Sequence, residues 1–255
     1  MSSHDLLICI PARLESSRLP RKLLQDVGGK PLVAWTLENA RKCLDFADIR
    51  MITDSVEIAE TVKKYEAVSN IRCVLDNTKE YRNGTERAAA IPNYASYAYC
   101  LNLQCDEPEI PAEAIRAMLE KCKWESFLHR WAVVTLVTDI DAVGFSDFSQ
   151  VKAAVTSDGV CRDFVRQWSH QGSFWWRANL FRHVGCYMMS SETLGVLARL
   201  PATARENQES LEQLRWLEFG VRMTAVYHPG VPNGINDETS LRAFRERTES
   251  QNQGL

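Results

Sequence analysis

The chain has 255 residues, 45% of them hydrophobic and 25% charged, and that length and apolar content support a full buried core in one large domain, or one and a half small ones, and exclude a disordered chain. A formal net charge of -3 gives no overall attraction to nucleic acid or anionic lipid, and the longest apolar runs fall well short of the roughly 20 residues a membrane helix needs. Eight cysteines are scattered without a C-x-x-C pair, with no H-E-x-x-H and no signal sequence ahead of the first apolar run, the pattern of reduced thiols in a cytoplasmic protein.

Leu6 to Ile10 reads as an apolar strand that runs into Pro11-Ala12-Arg13, with Arg18, Arg21 and Lys22 following before Gly28-Gly29-Lys30-Pro31 opens a helix. Ligands of open α/β sheets bind beyond the carboxyl ends of the strands, so this basic turn is either a seat for a phosphate-rich ligand or a solvated loop. Helical spacing extends over Pro31 to Leu44. Ile49 to Thr53 is β-rich, and Asp54-Ser55 caps a helix over Val56 to Tyr65. The rhythm continues with a strand at Ile71 to Leu75, a short helix from Thr85 to near Pro92, a strand at Tyr99 to Leu103, a helix at Pro111 to Cys122 and a strand at Ala132 to Thr138. Alternation of this kind predicts a largely parallel sheet covered by helices, a Rossmann-like α/β fold. After Asp139 the pattern loosens: Val151 to Thr156 and Arg182 to Met189 are strand-like and flank a stretch rich in Trp and Arg, which suits an inserted hairpin flap. Helices at Ser191 to Arg199 and Glu209 to Phe219, a strand at Arg222 to Tyr227 and a last helix after Asn236 complete a single domain over 1–255.

Two further segments could carry chemistry. Leu101-Asn102-Leu103-Gln104-Cys105-Asp106-Glu107-Pro108 ends a buried strand in consecutive carboxylates, which either hold Mg²⁺ or sit at the positive end of the next helix. Asn83-Gly84-Thr85-Glu86-Arg87 is a helix-opening turn that presents N–H groups to an anion or a base edge, or simply starts a helix. Gly29-Lys30 is followed by Pro31 and is not a Walker A loop, and no G-x-G-x-x-G occurs, so any nucleotide is held by side chains and isolated turns.

Ile10 to Leu23 closely resembles the opening I-P-A-R-x-x-S-x-R-L-P-x-K of CMP-3-deoxy-D-manno-octulosonate (CMP-Kdo) synthetases. The resemblance continues in order through Gly29-Lys30-Pro31, Thr53-Asp54, Gly84-Thr85-Glu86-Arg87, Asn102-x-Gln104-x-Asp106-Glu107-Pro108, Arg182-His183-x-Gly185-x-Tyr187 and Leu211-Glu212-Gln213-Leu214-Arg215, over nearly the whole chain. It implies a nucleotidyltransferase fold and transfer of CMP from CTP to the 2-hydroxyl of an acidic keto-deoxy sugar, with pyrophosphate released, in lipopolysaccharide biosynthesis. By matched position Arg13, Arg18 and Lys22 would clamp the triphosphate beside Ala12, while Gly84, Thr85 and Gln104 would surround the cytidine. Arg13, Lys22 and Asp106 would be catalytic, with Mg²⁺ on Asp106. Arg166, His183, Tyr187, Glu212 and Gln213 fall on the acceptor side. The resemblance also implies a homodimer, formed with help from a flap insertion at about 139–190.

Departures from the family pattern matter. Cys105 replaces a glycine. Asn236 stands where an aspartate normally completes the metal site, leaving one negative charge fewer unless Asp237 takes over. Between Arg166 and Arg182 the family's A-T-I-P-x-x-R segment is missing, and Gln167 to Arg177 runs QWSHQGSFWWR instead. The acceptor expectation therefore stays open between Kdo, an altered Kdo and a sialic-acid-type sugar. A catalytically weakened nucleotide-binding relative is the reading that Asn236 motivates. A sugar 1-phosphate acceptor would call for a glycine-rich loop that Ala12-Arg13 does not supply.

Overall fold

Every residue of the first strand, β1 (Leu6–Ala12), is buried, as a central strand covered on both faces must be. The computed structural model describes residues 5–16, 18–69, 71–78, 80–167 and 179–253. After β1, a single 3₁₀ turn at Lys22–Leu24 leads into a minimal hairpin, β2 (Asp26–Val27) and β3 (Lys30–Pro31), whose turn residues Gly28 and Gly29 sit at φ 61 and 86. Only glycine takes two such angles in succession without steric cost. There follow α1 (Leu32–Ala40), β4 (Asp48–Thr53), α2 (Val56–Ser69), β5 (Arg72–Leu75), α3 (Gly84–Ala88) and β6 (Tyr99–Leu103). The next stretch holds α4 (Ala112–Leu128), β7 (Ala132–Thr138), α5 (Ala142–Ser146), β8 (Lys152–Val155), β9 (Cys161–Val165), β10 (Leu180–Ser190), α6 (Ser191–Leu197), α7 (Ala204–Glu209), α8 (Glu212–Glu218) and β11 (Arg222–Tyr227), before α9 (Glu238–Gln253).

These elements group into two compact units. One comprises Met1–Tyr97, Asn102–Ala112 and Pro232–Leu255; the other comprises Ala98–Leu101 and Glu113–Val231. In the first, the strand order is β6-β1-β4-β5. β1 runs parallel to β4, with Leu7 opposite Asp48 and Ala12 opposite Thr53, and β4 runs parallel to β5. The chain therefore leaves β1 and β4 at the same edge, which brings Arg13 and Asp54 out on one side, as the strand-helix rhythm predicts. α1 buries Leu32, Val33, Leu37 and Ala40, and Thr36 Oγ1 on the same face donates to Cys105 O at 2.6 Å.

In the second unit the order is β11-β7-β10, with β8 on β10 and β9 on β8. β7 and β11 are parallel, whereas β10 is antiparallel to both β7 and β8. β8 and β9 form an antiparallel hairpin. Two differences from the sequence reading stand out. β9 was not anticipated, because Cys161-Arg162-Asp163-Phe164-Val165 buries only Cys161 and Phe164 and reads as polar. The helix expected over Glu209 to Phe219 begins only at Glu212, as α8, because Ser210 takes a left-handed φ of 53 and ends a separate helix, α7, which starts from a Thr203–Glu206 capping box. The Trp- and Arg-rich stretch holding Trp168, Trp175, Trp176 and Arg177 lies outside the described residues. All eight cysteines are free thiols, and no helix among the described residues is long and apolar enough to cross a membrane.

Candidate active site

In the first unit the turn after β1 is anchored by buried Leu19 and Leu23. Arg21 takes the left-handed conformation, φ 54, which an L-residue adopts at a steric cost. Leu24 N donates to Arg21 O at 2.9 Å and closes the turn. Adjacent cations consequently part company. Arg21 pairs with Glu57 at the start of α2, while Lys22 Nζ donates to Asp106 Oδ2 at 2.5 Å. Arg18 Nη2 donates to Asn236 Oδ1 at 3.1 Å, and Ile235 N donates to Asp106 O at 2.8 Å, which ties the loop before α9 to the loop after β6. Arg13 is exposed just beyond buried Ala12.

A polar patch lies at the start of α3. Asn83 caps this helix, its side chain accepting from Glu86 N at 2.9 Å. An ideal Cβ on Gly84 would stand 2.7 Å from Gln104 Nε2 and 3.4 Å from Asn102 Nδ2, so the missing side chain is what lets this backbone lie against the amides of β6 and the residue after it. Gln104 Nε2 donates to Asn102 Oδ1 at 3.3 Å, and Asn102 Nδ2 donates to buried Thr85 Oγ1 at 3.2 Å. Gly84, Thr85 and Gln104 are thus brought together. Asn102 links them; it lies in the matched motif with Gln104 and Asp106, but the resemblance assigns it no role. Arg87 is 5% exposed and donates to Asp54 Oδ2 at 2.6 Å, with its guanidinium 4.8 Å over the Tyr81 ring. A buried guanidinium needs such a partner, so this pair joins two matched motifs that lie far apart in sequence.

Cys105 is not at positive φ: among the described non-glycine residues only Arg21, Asn93 and Ser210 are. Its side chain is buried, and burial holds the thiol far above its ordinary titration range. Replacing glycine here adds no backbone strain.

Mg²⁺ asks for one or two protein oxygens and completes its shell with water and phosphate. Asp106 offers a partly exposed carboxylate and Asn236 an amide oxygen, on loops joined by the Ile235–Asp106 hydrogen bond. That donor set fits the ion. The Asp237 carboxylate is engaged with its own helix: Oδ1 accepts from Ser240 N and from Ser240 Oγ, each at 2.8 Å, and caps α9.

In the second unit, β10 carries His183 and Tyr187 around an irregularity between Val184 and Tyr187. Thr135 Oγ1, on β7, donates to Cys186 O at 2.8 Å. A hydroxyl has one hydrogen, so the 2.8 Å contact between Thr135 Oγ1 and His183 Nε2 assigns the ring hydrogen to Nε2 and leaves Nδ1 as the acceptor. Burial, reinforced by the Arg182 charge, pushes the His183 imidazole down to about 3, so it is neutral near pH 7. Its ring lies 5.5 Å from that of Tyr187, whose hydroxyl donates to Gln213 Oε1 at 3.0 Å. Burial, and then the Glu212 charge, hold the Tyr187 phenol well above its ordinary range. Gln213 Nε2 is a buried N–H with no partner among the described residues. Arg166, one residue past β9, donates from Nε to Glu209 O at 2.8 Å and from Nη2 to Ser210 O at 3.3 Å. It is thereby pinned to the turn from which Glu212 opens α8. The sequence reading singled out these five residues; Thr135, which fixes the imidazole tautomer, escaped it.

A family model described as cytidylyltransferase matches residues 7–223, and with the fold above it makes the chain an enzyme of the cytidylyltransferase class. The 3-deoxy-manno-octulosonate cytidylyltransferase of Chlorobium chlorochromatii (strain CaD3) is 35% identical over 243 residues, covering 94% of this chain and 96% of that protein. The protein of the same name from Chlorobium limicola is 36% identical over 249 residues, covering 96% and 98%. A solved structure of CMP:2-keto-3-deoxy-manno-octonic acid synthetase complexed with CTP matches with a TM-score of 0.82 at 27% identity, over 96% of this chain and 99% of that one. The chain belongs to the 3-deoxy-manno-octulosonate cytidylyltransferase family.

Proposed function

We propose that this chain transfers CMP from CTP to the 2-hydroxyl of 3-deoxy-manno-octulosonate, or a close analogue, and releases pyrophosphate. The observation that carries the reading is the convergence of Lys22 and Arg18 on Asp106 and Asn236. Transfer at phosphorus asks little covalent chemistry of a protein and much positioning and charge neutralisation. Arg13, Arg18 and Lys22 bind the triphosphate, the last two exchanging their present partners for phosphate oxygens. The backbone at Ala12 and the patch of Gly84, Thr85 and Gln104 hold the cytidine. Mg²⁺ held by Asp106 and Asn236, with Asp237 available only on leaving its cap, would supply charge neutralisation at the α-phosphate and acidify the attacking hydroxyl.

On the acceptor side, the Arg166 guanidinium takes the sugar carboxylate. His183 Nδ1 accepts from a hydroxyl, Gln213 Nε2 donates to one, and Tyr187 and Glu212 complete the polar wall. The new bond joins the acceptor 2-oxygen to the α-phosphorus, the bond from that phosphorus to the bridging oxygen breaks, and the hydroxyl proton passes to solvent. A cytoplasmic homodimer, each chain a single domain with a flap insertion at about 139–190, belongs to the same reading.

Pyrophosphate release with CTP, Mg²⁺ and a panel of Kdo, amino-substituted Kdo and sialic acid tests it. Turnover is expected to be fastest with Kdo and to be abolished by Asp106→Ala in a folded protein. Tight CTP binding without pyrophosphate from any acceptor would overturn the reading in favour of a nucleotide-binding relative.

A further inference from the structure

Lys152 opens β8 and is 0% exposed. An ammonium has three donors and no acceptor. Here all three are met by backbone carbonyls: Asp147 O at 2.5 Å, Gln150 O at 2.8 Å and Arg166 O at 2.8 Å. Burying a cation costs several kcal/mol of desolvation, and an apolar side chain would fill the same volume more cheaply. What the charge adds is position. It draws the 147–150 loop and the residue after β9 onto a single point.

The register sharpens this. Lys152 stands opposite Val165 on β9 and opposite Arg182 on β10, each one residue before an acceptor-side group, Arg166 or His183. His183 N also donates to Val151 O at 2.8 Å. The loop gathered by Lys152 carries Phe148, whose ring lies 5.7 Å from the Arg166 guanidinium. Arg166 is accordingly held at its carbonyl by Lys152, at its guanidinium by Glu209 O and Ser210 O, and alongside the Phe148 ring.

We propose that Lys152 is a positioning residue for acceptor recognition, acting through the backbone of Arg166. The inference rests on the reading that Arg166 takes the acceptor carboxylate. Lys152→Met keeps an unbranched side chain one atom shorter and removes the donors. Because a displacement of the order of 1 Å can cost up to about 10²-fold, the variant is expected to raise the acceptor KM by about ten- to a hundredfold with the CTP KM within about twofold. Asp147→Ala is a gentler second variant. It removes the carboxylate that accepts from Ser149 N at 2.7 Å and Gln150 Nε2 at 3.2 Å and shapes the loop, and it leaves Lys152 in place. The same acceptor-only change, smaller in size, is expected. Arg166→Ala is measured alongside. If it leaves the acceptor KM unchanged, the assignment of Arg166 fails. If it raises that KM while folded Lys152→Met does not, or raises both substrates' KM values equally, the role of Lys152 fails alone. Should Lys152→Met not fold, an unchanged acceptor KM in Asp147→Ala overturns the proposal.

Discussion

Gly84→Ala isolates the close approach of backbone to amide in the proposed base site. The new methyl would sit 2.7 Å from Gln104 Nε2, roughly 0.8 Å inside an ordinary contact of about 3.5 Å. Gly84 is not at positive φ, so the backbone accepts alanine, and helix propensity favours it by about 0.5–1 kcal/mol. The movable partner is Gln104, a half-buried side chain free to rotate away. Its 3.3 Å bond to Asn102 then breaks, a loss of about 1 kcal/mol that nearly cancels the propensity gain. Stability should therefore stay within about 1 kcal/mol, a change of some 2–4 °C in Tm for a chain of this size. Nucleotide recognition should not escape: displacing the amide is expected to raise the CTP KM about tenfold, or about 1.4 kcal/mol. Steady-state kinetics and a thermal melt on one preparation decide the matter. An unchanged CTP KM would refute the role of this patch, and a melt lowered by 10 °C would show that the methyl strains the core instead of moving a side chain.

Asp237→Ala should lose a helix cap, about 1 kcal/mol of stability, and keep its Mg²⁺ dependence; an Mg²⁺ titration of CTP binding shifted to higher concentration would instead make Asp237 a ligand. His183 sets a pH dependence. The unfolded imidazole takes a proton below about 6.5 while the buried one waits until about 3, so unfolding free energy should fall as pH drops through that window, by at most about 1.4 kcal/mol per pH unit. Urea unfolding of wild type and His183→Asn at pH 4 to 7 should show the steeper loss in wild type, and equal slopes would contradict a neutral buried ring.

Most of the fold was legible because its period is strong: continuous apolar strands such as Leu6 to Ile10 and Ala132 to Thr138 alternate with helices that carry an apolar face. The failures have physical causes. β9 buries one face only and shows charge on the other, so it reads as a loop. The helix read from Glu209 starts three residues early because nothing in Glu209-Ser210-Leu211 forbids helical angles, and α7 ahead of it goes unread. The break at Ser210 is favoured by its surroundings, including the two carbonyls there that accept from Arg166. Thr203 and Glu206, spaced as a capping box, mark the start of α7 in the sequence.

The site was legible as a set of residue types and illegible as a set of free hydrogens and lone pairs. Arg21 and Lys22 are adjacent cations in sequence, yet one backbone angle sends the first to Glu57 and the second to Asp106. Asp106 and Asp237 are both carboxylates near a helix start. The second spends an oxygen on Ser240, while the first faces Lys22 from a loop tied to Asn236 through Ile235 N. His183 shows the same limit most plainly. Its residue type suggests a base, and burial removes the proton affinity a base needs near pH 7. The single hydrogen of Thr135, committed to Cys186 O, leaves the imidazole an acceptor at Nδ1. Sequence spacing carries the identity of such groups; what each can still donate or accept is decided by neighbours as distant as the 218 residues that separate Arg18 from Asn236.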